Sequence, residues 1–224
     1  MNIISSSRCA FGFPERIVAS AEQFQIEAGT FNLLLGGNGA GKSTILATLA
    51  RDLPLLSGNF SYAAHDGVSV SDRIGYVPQR VVIPQYLPMC VEEFITLGAT
   101  RVTGFFEQFS SATLQKRDSL IEELGLSSIR SERVSTISVG QLQRATIARE
   151  LLGEPRLLLL DETTSGIDVK HQTSVMRVIQ AITPSCSVLL ATHDLHHVSL
   201  AVDWVYSIED EQLIKKSFEE SRCC

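Results

Sequence analysis

The chain predicts an α/β fold: a mostly parallel sheet with an antiparallel β portion near the N-terminus and a helical insert in the middle. Three observations carry that prediction. The stretch Gly36-Gly37-Asn38-Gly39-Ala40-Gly41-Lys42-Ser43-Thr44 fits the phosphate-loop pattern G-x-x-x-x-G-K-[ST], between an apolar run and an apolar helical face. Leu157-Leu158-Leu159-Leu160 and Ser187-Val188-Leu189-Leu190-Ala191 have the composition of central parallel strands covered on both faces. Residues 83–137 show helical spacing instead. The 224 residues therefore read as one domain, with an α/β core over 1–82 and 138–224 and a helical subdomain over 83–137.

In chain order, residues 1–29 hold short alternating segments, of which Phe24-Gln25-Ile26-Glu27 before Ala28-Gly29 is the clearest strand. Thr30 to Leu35 is a buried strand, and Ile45, Leu46 and Leu49 give the helix starting near Lys42 its apolar face. Gly58 to Gly75 alternates around Asp66-Gly67, a hairpin signal, and leads into Ile74-Gly75-Tyr76-Val77-Pro78-Gln79. Val81 to Met89 is apolar but interrupted by Pro84 and Pro88, so it suits neither strand nor helix. Helices are expected over Val91 to Leu97, Ser111 to Leu126 and Leu142 to Leu152, the last stopped by Gly153-Glu154-Pro155. Asp168 is the expected N-cap of a helix from Val169 to Ile182. Two short strands around Asp210-Glu211 close the pattern.

Composition narrows the functional classes. Apolar residues are 44% and charged residues 20%, as in a globular protein. The net charge of −6 leaves no basic excess to neutralise nucleic-acid phosphates. No apolar run approaches the ~20 residues of a membrane span, and Met1 to Pro14 lacks a signal-peptide core, so a cytosolic protein is expected. Of five cysteines, Cys9, Cys90 and Cys186 read as small buried hydrophobes and Cys223-Cys224 as a frayed tail.

The phosphate loop has specific chemistry. Its glycines let the backbone curl so that successive N–H groups form an anion nest, reinforced by the helix that follows. Lys42 would reach the β- and γ-phosphates, and the Ser43 hydroxyl would ligate Mg²⁺. Ligands of open parallel sheets sit beyond the carboxyl ends of the strands, where the loop, Asp161-Glu162 and His193 all fall. Asp161 can hold Mg²⁺ through water, and Glu162 can orient or deprotonate an attacking water. An aromatic at Phe11 or Phe13 could stack on an adenine ring or belong to the core.

The order of Gly36 to Thr44, Tyr76-Val77-Pro78-Gln79, Ile137-Ser138-Val139-Gly140-Gln141, Leu157 to Glu162 and Ala191-Thr192-His193-Asp194 resembles the ATPase subunits of ABC transporters over nearly the whole chain. The resemblance implies the ABC ATPase form of the P-loop NTPase fold. It also implies a head-to-tail dimer, a homodimer or a pair of related subunits, with ATP between one copy's phosphate loop and the other's Ser-x-Gly-Gln signature. By position, Gln79 would contact Mg²⁺ or the water and sense the permease. Ser138, Gly140 and Gln141 would meet the γ-phosphate across the dimer, Glu162 would be the general base and His193 would hold the γ-phosphate. Asp168 would lie at the dimer contact. Phe13, in Phe11-Gly12-Phe13-Pro14, would stack on adenine, with Phe11 as fallback.

Two departures stand out: Val139 replaces the signature's first glycine, with Ile137 before Ser138, and Thr163 replaces the usual proline after Glu162. A β-branched residue resists left-handed backbone, so Val139 implies negative φ, or strain of about 1–3 kcal/mol if the site requires glycine. That strain would give a weakly closing dimer. Tyr76 to Arg80, Leu87-Pro88 and Thr192 to Val198 are similar to the ATPases of zinc, manganese and iron importers. The resemblance then implies a peripheral subunit on the cytoplasmic face of the cell membrane, a permease docked near 79–100 and an extracytoplasmic metal-binding protein. His193, His196 and His197 fit a phosphate contact and a helix surface better than a metal site. The rival readings are a non-transport ABC ATPase acting on DNA or the ribosome, and a regulatory module that binds nucleotide without hydrolysing it.

Overall fold

The most apolar runs of the chain form interior strands of its sheet that are buried at every residue. The computed structural model describes residues 1–65, 67–104, 108–163, 167–193 and 202–218. In chain order its elements are β1 (Asn2–Phe13), β2 (Arg16–Glu27), β3 (Phe31–Leu35), α1 (Lys42–Leu49), β4 (Ser61–Tyr62), β5 (Ala64–His65), β6 (Val68–Ser69) and β7 (Ile74–Val77). Then follow α2 (Val91–Thr96), α3 (Thr100–Thr103), α4 (Ser111–Glu123), α5 (Val139–Leu152), β8 (Leu157–Asp161), α6 (Val169–Ile182), β9 (Ser187–Thr192), β10 (Trp204–Glu209) and β11 (Gln212–Ser217). Packing divides the chain into two units. Met1–Tyr76, Arg156–Glu162 and Ile182–Cys224 form the first, and Val77–Pro155 and Thr163–Ala181 form the second.

Among the described residues, nine strands form one sheet in the order β4-β1-β2-β11-β10-β3-β9-β8-β7. The neighbours β10, β3, β9 and β8 run parallel, whereas β1 with β2, β1 with β4 and β10 with β11 are antiparallel. This is the α/β architecture that the sequence predicts. Strands β8 and β9 are buried at every residue, which is why they carry no alternation. The buried amide of Asn32 in β3 is bonded through its nitrogen, Nδ2 donating to the Val188 carbonyl at 3.0 Å and to Thr30 Oγ1 at 2.9 Å.

The N-terminal segment is longer and more regular than its alternation suggests, a hairpin of two 12-residue strands. A bulge between Phe11 and Gly12 shifts the register and breaks the period of two. Gly12 has φ 145°, and a Cβ there would collide with the Arg16 carbonyl, so the bulge requires glycine. Phe11, Phe24, Phe60, Tyr62 and Tyr206 stack beneath this hairpin with neighbouring centroids 5.5–6.1 Å apart. The Tyr206 hydroxyl donates to the Gln25 carbonyl, and burial pushes its pKa up. Strands β5 and β6 flank the predicted hairpin turn, although Asp66 lies outside the described residues.

In the second unit, α5 starts at Val139, three residues before the Leu142 predicted from periodicity. It packs among the helices of 83–137, so the packing division differs from one that keeps 138–152 with the α/β core. Glu150, 1% exposed at its side chain, ties α5 to α3 by accepting from Arg101 at 2.5 Å and from Arg149 at 2.8 Å. Arg149 also lies 4.6 Å over the Phe94 ring of α2. Glu92 pairs with Arg130 at 2.5 Å and Arg117 at 2.8 Å. The Arg130 hydrogen bond, against a burial cost and with help from Arg117, holds its carboxyl below the ordinary value. The helix α4 ends at Glu123 rather than Leu126, because Gly125 turns left-handed at φ 64°. The segment from Val81 to Met89 has no helix or strand, and Val82 and Tyr86 are each 86% exposed.

Gly98 touches α5 so closely that an added Cβ would strike the backbone carbonyl of Arg149. Gly98→Ala is expected to destabilise the protein by about 1–3 kcal/mol, read as a lowered thermal midpoint. Gly37→Ala, with open space at the Cβ position, should leave that midpoint within about 1 °C or 2 °C.

Candidate phosphate-binding site

The turn between β3 and α1 is shaped as a cradle. Gly39 and Gly41 adopt left-handed φ of 77° and 98°, which non-glycine residues rarely do. A Cβ at Gly41 would collide with the Val18 side chain of β2, whereas Cβ positions at Gly37 and Gly39 meet nothing within 4 Å. Gly37, Asn38 and Gly39 are exposed, so their backbone is open to a ligand. The N-cap of α1 is Gly41, no side chain caps it, and the first turn holds no acid. Its leading N–H groups and the positive end of the helix dipole are thus offered to an anion. Ser43 is exposed and Thr44 half-buried on that first turn, and Ala40 closes the preceding turn by donating to the Gly37 carbonyl at 3.2 Å.

Lys42 is 5% exposed and turned back into the cradle. Its Nζ donates to the Gly36 carbonyl at 2.9 Å and the Gly37 carbonyl at 3.2 Å, and lies 3.2 Å from Glu162 Oε1. Asp161 is the last residue of β8 and 2% exposed. The chain then turns left-handed at Glu162, φ 46°, pinned by its N–H donating to the Ala191 carbonyl at 3.1 Å. That turn ends the strand and aims the carboxylate at Lys42. His193, just beyond β9, places Nδ1 3.3 Å from the same Glu162 Oε1. Burial pushes the Glu162 carboxyl up, but hydrogen bonds from Lys42 and His193 outweigh it and hold the group below its ordinary value. The site thus gathers an anion nest, a buried cation, two carboxylates and an imidazole. Ser43 and Asp161 supply hard oxygen donors, the set that suits Mg²⁺, and the glycine cradle suits a polyphosphate.

The sequence profile of the ABC transporter family matches residues 20–165. The chain belongs to the ABC transporter family. It is 35% identical to the zinc import ATP-binding protein ZnuC of Ruegeria sp. over 184 residues, 81% of this chain and 67% of the relative. It is 31% identical to zinc import ATP-binding protein ZnuC 2 of Aliivibrio fischeri, covering 93% of this chain and 80% of that one. The fold also matches a solved ATP-binding subunit of an ABC transporter, with TM-score 0.83 at 22% identity over 99% of this chain and 92% of the other. A nucleotide-free ATP-binding cassette gives TM-score 0.78 at 20% identity, over 100% and 94%.

Within this ABC ATPase the first unit brings together Gly36 to Thr44, Asp161, Glu162 and His193. Gln79, Ser138, Gly140, Gln141 and Asp168 belong to the second. Phe13 is 48% exposed at the end of the β1–β2 hairpin, the strand pair whose Val18 abuts Gly41. Phe11, the fallback for adenine, is fully buried in the aromatic cluster and has no face to offer. The signature is the N-terminus of α5. Ser138 Oγ accepts from the Gln141 N–H at 3.3 Å, and Gln141 Oε1 accepts from the Ser138 N–H at 2.8 Å. This Ser-x-x-Gln capping box was visible in the sequence and marks the helix start that periodicity missed. Val139 stands in the first helical turn with negative φ and 73% exposure, so its backbone carries no left-handed strain. Asp168 caps α6 by accepting from the His171 N–H at 3.1 Å, and His171 Nδ1 lies 2.8 Å from each of its oxygens. Cys9 and Cys186 are buried as predicted. Cys90 is only half-buried and serves as the N-cap of α2, its N–H donating to Glu93 at 2.8 Å. Asp194, His196, His197, Cys223 and Cys224 lie outside the described residues.

Because the folded-state pKa of Glu162 is depressed, its pairing stabilises the protein fully above the ordinary glutamate value of 4.5 and is lost as pH falls through the depressed value. The difference in melting temperature between wild type and Glu162→Gln should be constant near neutrality and should shrink as pH falls below about 4.5.

Proposed function

We propose that the protein is the ATP-hydrolysing subunit that drives import of a divalent metal ion, zinc, manganese or iron, through a separate permease. The observation that carries the hydrolytic part is the meeting of Lys42, Glu162 and His193 beside the glycine cradle. Lys42 and the N–H groups of 37–44 hold the polyphosphate. Glu162 is ionised at neutral pH and accepts the proton of an attacking water, with His193 orienting it and binding the γ-phosphate. Ser43, Asp161 and Gln79 would hold Mg²⁺, which would supply charge neutralisation at the phosphates. Phe13 stacks on the base. Ser138, Gly140 and Gln141 of a second copy close over the phosphates, and Asp168 lies at the dimer contact. Their place at the N-terminal, dipole-positive end of a 14-residue helix supports an anion-facing role. Presence of all the reacting groups argues against a regulatory module without hydrolysis.

The metal cargo is supported by the names of the relatives, zinc import ATP-binding proteins and zinc uptake ATP-binding proteins, from several bacteria. No described helix is long and apolar enough to cross a membrane. We place the permease against residues 79–100, an extracytoplasmic metal-binding protein on its far side and this subunit on the cytoplasmic face of the cell membrane. Half-exposed Leu97 and the exposed Val82 and Tyr86 support that docking surface.

Glu162→Gln is expected to bind ATP yet slow turnover by about 10²-fold or more, leaving a long-lived ATP-bound dimer. Lys42→Ala should weaken nucleotide binding itself. Unchanged hydrolysis in Glu162→Gln, measured with the cognate permease, would remove the base assignment.

Asp substitutions at Val82 or Tyr86 should abolish co-purification with the permease while ATP affinity stays within about twofold. Loss of both together would place the segment in the folded core instead.

A further inference from the structure

An ammonium has three N–H donors, and at Lys42 three acceptors surround it: the carbonyls of Gly36 and Gly37 and the carboxylate of Glu162. Any phosphate that takes a bond from this amine must displace one of them. The two carbonyls belong to the cradle backbone itself and are fixed by its left-handed glycines. The carboxylate is the exchangeable partner, because it sits on a rotatable side chain and already has a second partner in His193 at 3.3 Å. Lys42 and Glu162 are 120 positions apart in sequence, yet their side chains are only 6% and 13% exposed, so solvent does little to screen the pair. The left-handed backbone at Glu162 is what directs the side chain there, and such geometry in a non-glycine residue is a mark of a constrained site.

Building on the phosphate-site reading above, we propose that Glu162 is a latch on the phosphate loop: its carboxylate and an incoming polyphosphate compete for Lys42. The step is an exchange of ion pairs, with no covalent bond made or broken. Lys42 passes from the carboxylate to phosphate, and Glu162 is left with His193. Binding affinity is lowered by the same interaction that keeps the base engaged beforehand, since ligand binding must first break it.

The test is calorimetric titration of the full chain with ADP in the absence of divalent metal, at fixed ionic strength. Glu162→Gln is expected to tighten ADP about threefold or more, and that gain should shrink by a similar factor in the Lys42→Met background. An equal gain in both backgrounds would reduce the effect to general repulsion between carboxylate and phosphate, and no gain at all would equally overturn the latch. Glu162→Asp separates reach from charge. It keeps the negative charge but withdraws it from Lys42, so it should also bind ADP more tightly, and wild-type affinity in that variant contradicts the proposal. Lys42→Met with undiminished ADP affinity would instead remove the phosphate-site reading on which the latch rests.

Discussion

A buried ammonium cannot be left alone, and the geometry of this protein's phosphate site follows from supplying Lys42 with partners. Taking a lysine out of water is costly unless each N–H finds an acceptor. Here the acceptors come from the loop that precedes it and from a glutamate at the end of a distant strand. The loop presents its carbonyls to Lys42 and its N–H groups outward because Gly39 and Gly41 take backbone angles that other residues rarely adopt. The close approach of Gly41 to Val18 then fixes the cradle against the β1–β2 hairpin.

The sheet does the rest. Parallel pairing of β3, β9 and β8 brings their carboxyl ends to one edge, so a loop near residue 36, a carboxylate pair at 161–162 and an imidazole at 193 become neighbours. The strands can run side by side there because they are apolar on both faces, and Asn32 adds a bonded polar tie to β9. In the second unit the equivalent ordering is electrostatic. Glu150 and Glu92 each gather two arginines: Arg101 ties α3 to the helix that carries the signature serine, and Arg117 ties α4 to α2.

Local chemistry explains what could be read in advance. The phosphate loop was legible because its function demands glycines and a lysine at fixed spacing, and β8 and β9 because burial on both faces leaves an unbroken apolar run. The N-terminal strands were half legible, since the Gly12 bulge shifts the alternation on which a strand is recognised. The start of α5 was hidden by a valine and a glycine that both disfavour helix, although the Ser138 and Gln141 box announced it. What the sequence could not display is long-range: the pairing of Lys42 with Glu162, the burial of Phe11 against exposed Phe13, and the packing of α5 with the preceding helices. Each of these depends on tertiary contact between segments that carry no local trace of one another.

The central claim is that the backbone of the glycine loop and Lys42 recognise the phosphates of a nucleotide. Backbone amide chemical shifts of the isotope-labelled protein, followed while ATP or adenosine is added, test it most directly. The account predicts large, saturable shifts at the amides of Gly39, Gly41, Lys42 and Ser43 with ATP and negligible shifts at these positions with adenosine. Shifts of equal size with both ligands, or none with ATP, would contradict it.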